Sequence, residues 1–70
     1  MVPLTLAKTG EEYIIKNVGG RIDTKQHLED LGFVVGGKVL VISDIKGNLI
    51  VSVKDSRVAI DKSLANKIKI

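Results

Sequence analysis

The sequence predicts a mainly β domain, a small closed barrel of about five short antiparallel strands with one inserted α-helix and a short C-terminal helical turn. Three observations predict it. The seven glycines of the 70-residue chain fall between short apolar segments, a punctuation that suits many small strands rather than long helices. The second half of the chain alternates apolar and polar residues over consecutive short segments separated by tight turns. One stretch, from about Asp23 to Gly32, has helical spacing with a terminus signal at each end.

The elements follow in order. Glu12 to Val18 reads as a strand, but Tyr13, Ile14, Ile15 and Val18 do not keep one parity, which predicts a bulge or sharp bend. In the helix, Asp23 is the expected N-cap, Gln26 takes the capping-box position three residues on, and Gly32 closes the end. Leu28 and Leu31 share its inner face, with Ile22 stapled onto them. Lys38 to Ser43 is the clearest strand, carrying Val39, Leu40, Val41 and Ile42. Lys46-Gly47-Asn48 turns the chain into Leu49 to Val53, with Leu49, Val51 and Val53 on one face and Ile50 and Ser52 on the other. Lys54-Asp55-Ser56 turns it again into Arg57 to Asp61, with Val58 and Ile60 inward. A helical turn after Asp61 uses Leu64, Ala65 and Ile68, and the alternating Lys67 to Ile70 adds an edge strand. A bent sheet of such pieces closes into a barrel because open edges invite pairing with other chains. An SH3-like barrel fits best, with an OB-like barrel as the rival, and residues 1–70 form a single domain.

Composition narrows the function classes. A chain this short removes only about 60% of its unfolded surface from water, so little interior is spare for a deep pocket. Cysteine is absent, which excludes disulfides, thiolate metal sites and a cysteine nucleophile. Small secreted domains usually need disulfide staples, so a cytoplasmic location is expected. No signal-peptide pattern is visible, and no apolar run approaches the roughly 20 residues of a membrane helix. Eleven basic and eight acidic residues leave a net charge of +3, spread along the chain without a like-charge block. That sign permits an acidic partner and does not demand one.

Candidate chemistry is sparse. Ser43, Ser52, Ser56 and Ser63 lack a nucleophile motif, and the glycine pairs at 19–20 and 36–37 lack the context of a phosphate-binding loop, so the expectation is a non-enzyme. Asp23, His27 and Asp30 have spacing that can bring one imidazole and two carboxylates to one helix face, a ligand set suited to a weak Fe or Zn site. Asp23 is also wanted as the cap, so no dedicated metal or cofactor is expected. A nucleic-acid-binding barrel is the alternative class, but it needs aromatic platforms among basic residues. Here Tyr13 and Phe33 lie far apart, and Arg21 and Arg57 stand outside any basic cluster. Protein binding fits better. Phe33, Val34 and Val35 crowd a connecting segment between Gly32 and Gly36, and with the outward Ile50 they are the candidate partner-binding residues; for Phe33 itself a core-capping role is favoured. The 49–53 strand and the C-terminal tail are candidates for pairing with a second copy if their edges are free.

The ordered set Leu4-Thr5-Leu6, Gly10, Ile15, Val18-Gly19-Gly20, Leu28-Glu29-Asp30-Leu31-Gly32-Phe33, Gly36, Val39/Val41, Val51-Ser52-Val53, Val58-Ala59-Ile60, Ala65 and Ile68 resembles the ferrous iron transport protein A (FeoA) family across nearly the whole chain. Two positions depart from the family pattern: Val35 stands where proline is common, and Asp55 where glycine is common. The resemblance implies an SH3-like domain with a cytosolic accessory role in bacterial ferrous iron uptake. It also implies a partner, the cytoplasmic GTP-binding part of the membrane ferrous iron transporter. Similar domains form the C-terminal part of diphtheria-toxin-repressor-type metalloregulators; here no DNA-binding part accompanies the domain.

Overall fold

Two antiparallel sheets wrap one apolar core in the computed structural model, which describes all residues from Met1 to Ile70. A 3-10 turn at Leu4–Leu6 leads into β1 (Glu12–Ile14), β2 (Asn17–Val18) and α1 (Ile22–Leu31). The meander β3 (Lys38–Ile45), β4 (Asn48–Val53) and β5 (Ser56–Asp61) follows, then α2 (Lys62–Ala65) and β6 (Ile68–Lys69). The larger sheet has the order β1-β3-β4-β5, and β2 pairs with β6 in the smaller one. This is the mainly β fold with one inserted helix and a short C-terminal helical turn that was expected, its strands divided between two antiparallel sheets.

The bend expected within residues 12–18 proves to be a change of sheet. Tyr13 pairs with Val39 in one sheet and Val18 with Ile68 in the other, while the fully buried Ile15 sits at the corner. One irregular strand therefore becomes two. β3 runs to Ile45, beyond the expected Ser43, because a bulge at Ile42 lets the chain resume its pairing as Ser43↔Ile50 and Ile45↔Asn48. The meander alternates as read. Val39, Val41, Leu49, Val51, Val53 and Ile60 turn into a cluster of 14 buried side chains that also holds Leu4, Leu28, Phe33, Ala65 and Ile68. No polar or charged side chain is buried.

The N-terminus of α1 corrects the sequence reading. Arg21 is the N-cap, in extended conformation and without a side-chain cap bond, and Asp23 lies inside the first turn. A carboxylate there still favours the positive end of the helix dipole, and Asp23 Oδ1 accepts from the Thr24 amide at 2.9 Å. Gln26 donates to Asp30 at 2.9 Å rather than reaching back to the cap. Ile22 staples onto nothing and is 90% exposed. It lies six residues before Leu28, about 120° around the helix from the buried face at roughly 100° per residue.

The other end agrees with expectation. Gly32 takes φ +113°, its amide donates to Glu29 O at 2.9 Å, and the Phe33 amide donates to Leu28 O at 3.0 Å. That is a Schellman closure, and it turns Phe33 straight into the core. After β5, Asp61 caps α2 by accepting from the Leu64 amide at 2.9 Å. The C-terminal tail is not an edge. Lys69 O accepts from Lys16 on one side, and on the other Val2 and Ile70 exchange bonds of 3.1 and 2.9 Å.

Candidate docking face

The four residues after Phe33 form a turn of defined geometry. Gly37 N donates to Val34 O at 2.9 Å and Gly36 has φ +87°, which makes Val34–Gly37 a type II turn with Val35 at its first central position. The corner between β1 and β2 anchors it, with Gly36 N donating to Ile15 O and Ile15 N to Gly37 O, both at 2.8 Å. Glycine at 37 eases the close approach of the turn, since a Cβ there would stand 3.1 Å from Val34 O and force a shift of a few tenths of an ångström. The result is a fixed ledge that presents an apolar tip.

Val35 on that tip is 65% exposed, and Ile14, immediately before the anchoring Ile15, is 46% exposed. Val34 is half-buried at the base. Phe33, a candidate contact residue whose favoured role was to cap the core, is fully buried and leaves the candidate set, because the Schellman closure aims it inward. Gly36 and Gly37 border a shallow groove on the outer face of the larger sheet, continued by Glu12, Lys38, Leu40, Ser52, Lys54 and Asp55. Its charges alternate in sign, with Lys38 Nζ 4.0 Å from Glu12 Oε1. Ile50 lies on the same face, opposite Ser43 and Ala59 and one row beyond the pair Leu40 and Ser52. It is half-buried. Thus the fold places Val34, Val35 and Ile50 along one side of the molecule and adds Ile14. The sequence held a signal for Ile14: with Tyr13 and Ile15 inward, Ile14 must point out, and the broken parity of residues 12–18 concealed it.

The other candidate residues go elsewhere. Asp23, His27 and Asp30 all sit on α1, where Asp23 binds the Thr24 amide and Asp30 the Gln26 side chain. No group of three or more His, Asp or Glu side chains stands close enough together to hold a metal ion. Tyr13 packs half-buried against the core, its hydroxyl donating to Glu11 at 2.9 Å and accepting from the Lys8 amide at 3.0 Å. With Phe33 buried, neither ring is free as a stacking platform for a base. Arg21 ends a loop before α1 while Arg57 lies on β5, so they share no patch of one element. No helix is long and apolar enough to cross a membrane.

The FeoA domain model matches residues 2–70. The chain belongs to the FeoA family. A Methanocaldococcus jannaschii protein that carries the name Fe(2+) transport protein A is 40% identical over 70 residues, the whole of this chain and 85% of that one. A crystal structure titled iron uptake regulatory protein (FeoA) superposes with a TM-score of 0.86 at 33% identity, over 96% of this chain and 89% of the other. The solution structure of the FeoA protein from Chlorobium tepidum gives a TM-score of 0.87 at 22% identity, over 96% and 66% of the two chains, and supports the fold alone. The type II turn would accept proline at position 35, since its first central residue favours the fixed φ of proline.

Proposed function

We propose that this FeoA-family chain is an accessory protein of ferrous iron uptake. It works on the cytoplasmic side, docking its Val34–Gly37 turn and the adjoining sheet face onto the GTP-binding part of the membrane ferrous iron transporter. The observation that carries this reading is Val35, 65% exposed on a turn pinned through Gly36 and Gly37 by the Ile15 backbone. A rigid apolar tip beside a mixed-charge groove suits a protein surface, where an apolar centre is ringed by polar contacts. The name of the Methanocaldococcus jannaschii relative supports the iron-transport setting. A barrel of this kind acts on a two-state partner only through unequal affinity for the two states.

The test is a binding titration of the purified chain against the transporter's GTP-binding domain, with nucleotide present and absent. Val35→Asp and Ile14→Asp should each weaken binding at least about tenfold, a cost of roughly 1.4 kcal/mol, while circular dichroism stays native. Undiminished binding by both folded variants rejects this face. Failure of the unaltered chain to bind under either condition rejects the partner.

A further inference from the structure

The larger sheet ends in the three-residue β1 on one side and the six-residue β5 on the other, and the exposed backbone of β5 matches a second copy of itself. The two-residue turn at Lys54-Asp55 sets the pairs Val53↔Ser56, Val51↔Val58 and Leu49↔Ile60 as those that exchange hydrogen bonds. By alternation, the main-chain N–H and C=O groups of Arg57 and Ala59 point away from β4, as does the Asp61 N–H. No main-chain bond outside the β4–β5 ladder involves residues 55 to 60, and Arg57 and Ala59 are exposed. The two segments that looked like edges in the sequence are not edges: β4 lies between β3 and β5, and β6 is bonded on both sides.

We propose that two copies of this chain associate across a two-fold axis at Ala59, β5 against β5 and antiparallel, to form one continuous eight-stranded sheet. Charge selects this register. Centring the axis on Arg57 would set two guanidinium groups against each other, whereas centring it on Ala59 sets each Arg57 opposite Asp61 of the second copy. Both side chains lie on the outer face, since Arg57 pairs with Ser52 and Asp61 with Asn48. Opposite charges on facing positions of an antiparallel pair stabilise it, and like charges destabilise it. Asp61 is suited to the task. Its Oδ1 accepts from the Leu64 amide and from Ser63, which hold its carboxyl below the usual range and keep it ionised. The contact is isologous and closes on itself, so it produces a dimer and no fibre. The axis leaves the Val34–Gly37 turn at the opposite edge of the sheet, beside β1.

Sedimentation velocity from about 10 µM to about 1 mM should show a monomer–dimer equilibrium, in the range of weak specific association. Arg57→Asp, which faces Asp61, and Ala59→Lys, which sets two ammonium groups at the axis, should each raise the dissociation constant more than tenfold. Amide hydrogen exchange on the unaltered chain gives a second readout independent of any variant. The Arg57 and Ala59 amides should gain protection as concentration rises, while that of Ser56 stays constant. A monomer throughout, a dimer indifferent to both substitutions, or edge amides that exchange equally at both concentrations would each overturn the proposal.

Discussion

Phe33 and Asp61 show how single side chains hold this small fold. Phe33 is the largest fully buried residue, and its position follows from the glycine before it. Phe33→Ala should cost about 3–5 kcal/mol, a large share of the total stability of a domain this size, and urea denaturation with an unchanged slope would show it. Asp61 stabilises through its ionised form. Because its folded pKa is depressed, mainly by the Leu64 amide, its contribution is complete above the ordinary carboxylate range and is lost as pH falls through the lower, folded value. Asp61→Asn keeps an acceptor for the cap but removes that titration. The variant should therefore lose less stability between pH 5 and pH 2 than the unaltered chain, in paired thermal melts.

Among the elements, the turns carry most of the remaining strain. Lys54 and Asp55 both hold left-handed conformations, φ +48° and +62°, in a hairpin turn that favours asparagine and glycine. Asp55→Gly should raise stability by about 1 kcal/mol by relieving one of them. At the docking turn, Val35→Pro should stabilise by about 0.4–1 kcal/mol, since the Val35 amide makes no main-chain bond and proline restricts the unfolded chain. The same scale explains which parts could be read from residues alone. The β3–β5 meander was readable because each strand buries one face and the turns between them are short, so alternation passes directly into structure. The start of α1 was not, because an aspartate serves a helix equally well as a cap or as a first-turn acid, and only tertiary context decides. The docking face was half readable. Val34 and Val35 stood out as apolar residues in a connection, and Gly32 with Phe33 as a helix closure and a core cap, but the inclusion of Ile14 depends on a sheet change that breaks the local alternation.

For the whole molecule, the interior is purely apolar, so polar recognition is confined to the surface; the Val34–Gly37 turn lies on the β1 side of the larger sheet and the proposed dimer edge on the β5 side, with Ile50 on β4 between them. The pairing that closes the fold joins its two ends: Val2 and Ile70 exchange hydrogen bonds, and Pro3 bridges Lys69. Chain entropy makes such a contact slow to form, because the intervening polypeptide must first be gathered in. Linking Ile70 to Met1 through about three residues would turn that seam into a hairpin. Cutting instead between the exposed Lys8 and Thr9 puts at risk only two bonds that span the cut, the 3.4 Å bond from the Glu11 amide to Lys8 O and the 3.0 Å bond from the Lys8 amide to the Tyr13 hydroxyl. Such a circular permutant keeps every strand pairing and replaces the most distant one with a local one. Its refolding in a stopped-flow experiment should be faster than that of the parent, at similar equilibrium stability.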